Sequence, residues 1–199
     1  MITIEIKTKG KRKAEKISIK TFKELSVKEL IKWLDLQREG VETNIIHYLS
    51  IVLGIEYKAA YNLNIKNPDV LIESLGDVVN YETEKPAKKI IIGDCIYDFD
   101  DISIFSVGQR HTIEENINQY KNEEMLCYFL ACAILGTDST DAYKVKSLKD
   151  KILNCNYADV LPAAFFLLKI FLNGNKQETN YLRLLMEWIS TKLKRNRQE

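Results

Sequence analysis

Few residues in this 199-residue chain are of types that do covalent or metal chemistry, and their spacing decides what each can do. A nucleophile needs a base within hydrogen-bond reach, and the chain has only two histidines, His47 and His111. His47 lies beside Tyr48 with no second histidine or carboxylate at ligand spacing, which points to a surface or hydrogen-bonded side chain over a catalytic one. His111 sits between Arg110 and Thr112 at what reads as a helix start, where the positive dipole end disfavours its protonated form. Asp98, Asp100 and Asp101 could hold a divalent ion, but acids directly after a hairpin read as a solvated turn. Asp138-Ser139-Thr140-Asp141 alternates oxygen side chains like part of a calcium loop, yet lacks the glycine and glutamate that such a loop needs further on. The four cysteines, Cys95, Cys127, Cys132 and Cys155, match no disulfide framework or zinc spacing, so reduced thiols are expected. The glycines are scattered singly, and neither a P-loop nor a dinucleotide fingerprint occurs. The expectation is a protein with no catalytic residue, no bound metal and no cofactor.

Binding chemistry remains. Net charge is +1, but residues 1–20 carry seven Lys/Arg against two acids and residues 192–199 carry four against one. Of 29 basic and 28 acidic residues, that leaves 18 against 25 in between, an acidic middle flanked by basic ends. Lys7, Lys9, Lys11, Arg12, Lys13, Lys194, Arg195 and Arg197 could meet phosphate, but no aromatic residues are interleaved to stack on bases. Nucleic acid is therefore a possible partner and not the favoured one. Basic ends equally suit an acidic protein surface, and the middle of this same chain supplies one, which permits head-to-tail self-association.

The elements that would position these residues follow from patterning. Ile2-Thr3-Ile4-Glu5-Ile6 and Ile17-Ser18-Ile19 alternate as strands around a turn near Gly10, giving a short N-terminal hairpin with a basic tip at Lys9, Lys11, Arg12 and Lys13. Lysines there also protect a sheet edge from unwanted pairing. Ser26 and Glu29 form a capping box ahead of Val27, Leu30, Ile31 and Leu34, and Gly40 ends that helix. A second helix, capped by Thr43 or Asn44, turns Ile45, Ile46, Leu49, Val52 and Leu53 inward and stops at Gly54. Two short helical pieces over 56–63 and 68–79 lead to a polar connector ending in Pro86.

Residues 88–99 are two β-prone runs around Gly93-Asp94, and a two-residue loop pairs Ile92 with Cys95, Ile91 with Ile96, Ile90 with Tyr97 and Lys89 with Asp98. Both faces are apolar near the turn, so both are expected to be covered. A Gly108-Gln109 turn then leads to a helix capped by Thr112 with Glu115. Asn122 caps a nearly all-apolar helix over 123–135, expected to be central because Cys127, Tyr128 and Ala131 carry its apolar face around the cylinder. Ser147 caps a helix to Asn154, residues 158–172 form another with Pro162 in its first turns, and residues 178–194 are amphipathic. The apolar segments 125–135 and 160–172 fall short of the ~20 residues that cross a bilayer, so no membrane association is expected.

The resulting organisation is mainly α, a multi-helix globular protein with a central β-hairpin over 88–99 and a short N-terminal β-hairpin. Its parts are a basic hairpin arm (1–20), a helical subdomain (21–80), a connector (81–87), a hairpin plus helical core (88–194) and a basic tail (195–199).

The order of features resembles a group of small proteins encoded near the head and tail genes of crAss-like tailed bacteriophages. The residues that carry the resemblance are the helix Ile45-Ile46-His47-Tyr48-Leu49-Ser50-Ile51-Val52-Leu53-Gly54, the hairpin Ile92-Gly93-x-x-x-Tyr97, and Gly108-Gln109 before the acidic run Glu114-Glu115-Asn116. A Leu- and Ala-rich helix over 126–135 and the aromatic pair Phe165-Phe166 complete it. The resemblance implies a non-enzymatic virion structural or assembly protein, either a ring or connector between portal and tail or a tail assembly factor. It further implies assembly in the host bacterial cytoplasm, a homo-oligomer, and portal or tail proteins as partners. On that reading the contact residues are expected at the hairpins and basic ends: Lys9, Lys11, Arg12, Lys13, Ile91, Ile96, Lys194, Arg195 and Arg197.

Overall fold

The structure, a computed structural model, describes residues 2–7, 15–66, 87–102, 105–136 and 141–173. The chain divides into two compact units, Met1–Asn80 and Tyr81–Glu199. Its elements are mainly α-helical with two small antiparallel sheets, as the patterning predicts.

In the first unit, β1 (Ile2–Lys7) and β2 (Glu15–Ile19) form the expected hairpin, with Ile4 opposite Ile17. The sheet is larger than the sequence suggests. A third strand, β3 (Asn64–Lys66), pairs antiparallel with β1 so that Ile6 faces Ile65, and β1 becomes the central strand. Three residues are too few to show an alternation, and their partner lies some sixty positions away, so no local pattern announces the strand.

Helix α1 (Val27–Arg38) starts at the Ser26–Glu29 capping box, with the Glu29 carboxylate accepting from the Ser26 N–H at 2.7 Å and hydroxyl at 2.8 Å. Helix α2 (Ile45–Leu53) is capped by Asn44, whose Oδ1 accepts from the N–H of Ile46 and His47, and ends at Gly54 with φ of 65°. A short α3 (Tyr57–Tyr61) follows. Among the residues buried here are Phe22, Leu25, Leu30, Trp33, Tyr48 and Leu49, together with Ile4, Ile6 and Ile19 of the sheet. Phe22, Trp33 and Tyr48 form an aromatic cluster with centroids 6.1–6.5 Å apart. On α2 the deepest side chains are thus Tyr48 and Leu49, whereas Ile45, Ile46, Val52 and Leu53 are half-buried. Tyrosine can go to the centre because its hydroxyl donates to the Lys20 carbonyl.

In the second unit, β4 (Lys89–Ile92) and β5 (Cys95–Asp98) pair in the register that a two-residue loop requires. Four helices follow: α4 (Val107–Asn116), α5 (Asn122–Leu135), α6 (Ala142–Leu153) and α7 (Tyr157–Asn173). Every side chain of α5 from Leu126 to Ala133 is buried, so this helix is central as expected, and α4, α6 and α7 pack on it.

Three helix starts differ from the sequence reading, two of them because another cap competes successfully. Helix α4 begins at Ser106, which forms a capping box with Gln109, so Gly108-Gln109 lies inside the first turn and Thr112 is mid-helix. Lys121, without a side-chain cap, precedes α5, and Asn122 is its first residue. Helix α6 begins after Asp141, whose Oδ1 accepts from the N–H of Tyr143 and Lys144; its stripe of Val145, Leu148 and Ile152 starts before Ser147. Pro162 is the sixth residue of α7. Its missing N–H removes one rung of the ladder, and its carbonyl accepts from the Ala87 N–H at 3.2 Å. The helical reading of 68–79, the connector after 80 and the amphipathic segment 178–194 lie outside the described residues.

Candidate interaction surface

The β4–β5 hairpin gathers two of the residues singled out as contact positions. Gly93 takes φ of +62° as first central residue of the loop, a conformation open to glycine at little cost. Period-two alternation then sorts the side chains. Ile90 and Ile92 point inward and are buried beside α7, while Lys89 and Ile91 on β4 share the outer face with Ile96 and Asp98 on β5.

That outer face corrects the expectation that both sides would be covered. Ile91 is 62% exposed and Ile96 69% exposed, directly opposite one another. Among the described residues α7 packs on one side of the hairpin, and what reads as a doubly apolar ribbon has one apolar face exposed. The other large exposed apolar side chains among the described residues are Tyr57, Tyr61, Val107 and Tyr143, and none of them stands across a strand from another.

Charge frames the isoleucine pair. Lys89 Nζ is 2.7 Å from Asp98 Oδ2, and Lys88 Nζ is 2.7 Å from Asp100 Oδ1. The hydrogen bond from Lys89 holds the Asp98 carboxyl below the usual carboxylate range, and the same bond raises Lys89. These carboxylates are thus engaged by lysines across the ribbon, and the Asp98 Oδ1 also accepts from the Asp100 N–H at 3.0 Å. Lys88 further lies 6.0 Å from the Phe166 ring centroid. At the edge of β4, the Cys155 thiol approaches the Ile91 carbonyl at 4.0 Å. Among the described residues β5 has β4 as its one strand neighbour.

The histidines and cysteines sit in structural settings. His47 Nδ1 accepts from the Asn44 N–H at 3.4 Å, closing a helix cap, and its ring lies 4.5 Å from that of Tyr57. His111 is on the fifth residue of α4, not at its start, and its Nε2 is 3.1 Å from Glu115 Oε1 one turn on. All four cysteines are free thiols: Cys95 is exposed, Cys155 half-buried, Cys127 and Cys132 buried. Burial pushes Cys127 up to about 12 and Cys132 up to about 11. No group of three or more His, Cys, Asp or Glu side chains could hold a metal among the described residues, and no described helix is long and apolar enough to cross a membrane.

The remaining contact positions, Lys9, Lys11, Arg12, Lys13, Lys194, Arg195 and Arg197, lie outside the described residues, as do Asp138 to Thr140. Sequence reasoning did not single out Lys89 and Asp98 as the frame of the isoleucine pair, although the pairing register it derived already contained that arrangement. No family model matches the chain, and neither a curated protein nor a solved structure matches it.

Proposed function

We propose that this protein is a non-enzymatic structural or assembly component of a tailed-bacteriophage virion of the crAss-like kind. In this reading it is a ring or connector subunit between portal and tail, or a tail assembly factor, assembled in the bacterial cytoplasm. It works by fitting against copies of itself and against portal or tail proteins, and it makes and breaks no bonds. The observation that carries the reading is the Ile91–Ile96 pair, two branched apolar side chains held side by side in water on a pinned ribbon. Covering them would contribute about 1–2 kcal/mol for each side chain. The lysines and aspartates around the pair give an apolar centre with a charged rim, the usual composition of a protein contact.

Substituting Ile91→Asp and Ile96→Asp tests this directly. Both side chains are largely in water, so the cost of either change is mainly lost strand propensity and packing, about 1 kcal/mol. The masses of particles formed by the purified protein, alone and mixed with the portal, provide the readout. The expected result is an oligomer or a portal complex that the aspartate variants no longer form. A wild-type protein that stays monomeric and leaves the portal unbound, or variants that assemble as well as wild type, would overturn it.

A further inference from the structure

Arginine ordinarily lays its stem along apolar surface and keeps its guanidinium in water. Arg110, the fourth residue of α4, does the reverse. The residue as a whole is half-buried, yet its Nη1 and Nη2 are both sealed from solvent, and neither has an acceptor among the described residues. Its Nε donates to the Phe105 carbonyl at 3.4 Å, and its guanidinium carbon lies 4.8 Å from the Phe171 ring centroid. Phe171 belongs to a triad with Phe105 and Phe129, all three buried, with centroids 5.1–5.8 Å apart. Neither Glu114, four residues on, nor Glu115, which is engaged by His111, is hydrogen-bonded to the two outer nitrogens of Arg110.

The attraction of one aromatic face is smaller than the cost of holding a guanidinium out of water with the four N–H groups of its two outer nitrogens unmet. Native proteins rarely retain such a group without a use for it, and a buried donor lacking an acceptor points to a ligand that supplies one. The two Nη groups form a planar fork whose spacing matches the two oxygens of a carboxylate. One guanidinium among three phenylalanines balances a single negative charge. A phosphate, with up to twice that charge and three oxygens to satisfy, would need donors that this setting lacks.

We propose that Arg110 is a receptor for a carboxylate group, bound end-on to Nη1 and Nη2 against the Phe105–Phe171 wall. In this proposal the carboxylate reaches the fork from the partly exposed side of the residue. The site is independent of the assembly reading and of the β4–β5 hairpin.

Thermal melts of the full chain in sodium acetate, inorganic phosphate and sodium chloride at matched ionic strength test it, with Arg110→Met and Arg110→Lys alongside. Acetate at ten times its dissociation constant should raise the wild-type melting temperature by about 3–5 °C over chloride. Arg110→Met should be at least as stable as wild type in chloride, having lost an unmet charge, and should lose the acetate-specific rise. Arg110→Lys, which keeps the charge but not the fork, should lose most of that rise. The proposal fails if acetate raises all three proteins equally, if phosphate matches acetate in an Arg110-dependent way, or if Arg110→Met is destabilised or does not fold.

Discussion

Lys149 on α6 donates to the Glu124 carboxylate on α5, with 7% of its own side chain exposed. Its ammonium also lies 4.7 Å from the Tyr120 ring centroid and 3.4 Å from Asp150 Oδ1. A lysine this deep is held charged by its neighbours: burial lowers its pKa, and the hydrogen bond and charge of Glu124, helped by Asp150, outweigh that and raise it above 10.5. The pair gives a directional contact between two helices that also pack through buried apolar side chains.

Glu124→Gln should therefore cost more than Lys149→Met. The first leaves a buried ammonium short of its main partner, at about 1–3 kcal/mol, whereas the second removes the burial cost together with the attraction and should stay within about 1 kcal/mol of wild type. Because the folded pKa is raised, the stability that Lys149 contributes is fully present below 10.5 and is lost as pH rises through the folded value. Urea denaturation from pH 8 to 11 should show wild type losing more stability than Lys149→Met over the alkaline limb.

Glu29 provides the opposite dependence in the first unit. Burial raises its pKa, but the Lys20 ammonium at 2.8 Å and the Ser26 N–H and hydroxyl outweigh burial and hold the carboxyl below 4.5. The stability it contributes is present above 4.5 and is lost as pH falls through the folded value. Glu29→Gln should cost about 1–2 kcal/mol at pH 7, and its acid denaturation, followed by circular dichroism, should start from lower stability but fall less steeply below pH 4.5 than that of wild type.

Gly93 sets the register that brings Ile91 and Ile96 together. An alanine there would meet no atom within 4 Å, so its whole penalty comes from φ of +62°. Gly93→Ala should cost about 1–2 kcal/mol, and Gly93→Asn less, because asparagine tolerates the left-handed region. Equilibrium unfolding of the two variants beside wild type provides the comparison, and equal losses would place the constraint elsewhere.

The features readable from the sequence were those fixed by near neighbours. The hairpin register, the Ser26–Glu29 box, the Asn44 cap and the all-round apolarity of α5 each rest on residues within a few positions of one another. What escaped depends on distant partners. Asn64–Lys66 is a strand because β1 is there to receive it. Ile91 and Ile96 are exposed because, among the described residues, α7 packs on the other side of the ribbon, and no pattern within 88–99 reveals how many sides are covered. Arg110 looks like an ordinary surface arginine in sequence, and only the convergence of Phe105 and Phe171 makes it unusual. Competing caps misled for a different reason: Ser106 and Thr112 both begin acceptable boxes, and the earlier one gains another turn of helix.

The four thiols should separate by rate. Alkylation proceeds through the thiolate, and the buried pair on α5 is both inaccessible and shifted upward, Cys127 to about 12 and Cys132 to about 11. Cys95 is exposed on β5, and Cys155 is half-buried with its pKa raised by burial. In native buffer at pH 8, iodoacetamide should modify Cys95 first and Cys155 more slowly, leaving Cys127 and Cys132 intact until urea unfolds the second unit. Peptide mass mapping over a time course distinguishes the sites. Modification of Cys127 or Cys132 at the rate of Cys95 would show that α5 is not the sealed centre of its unit.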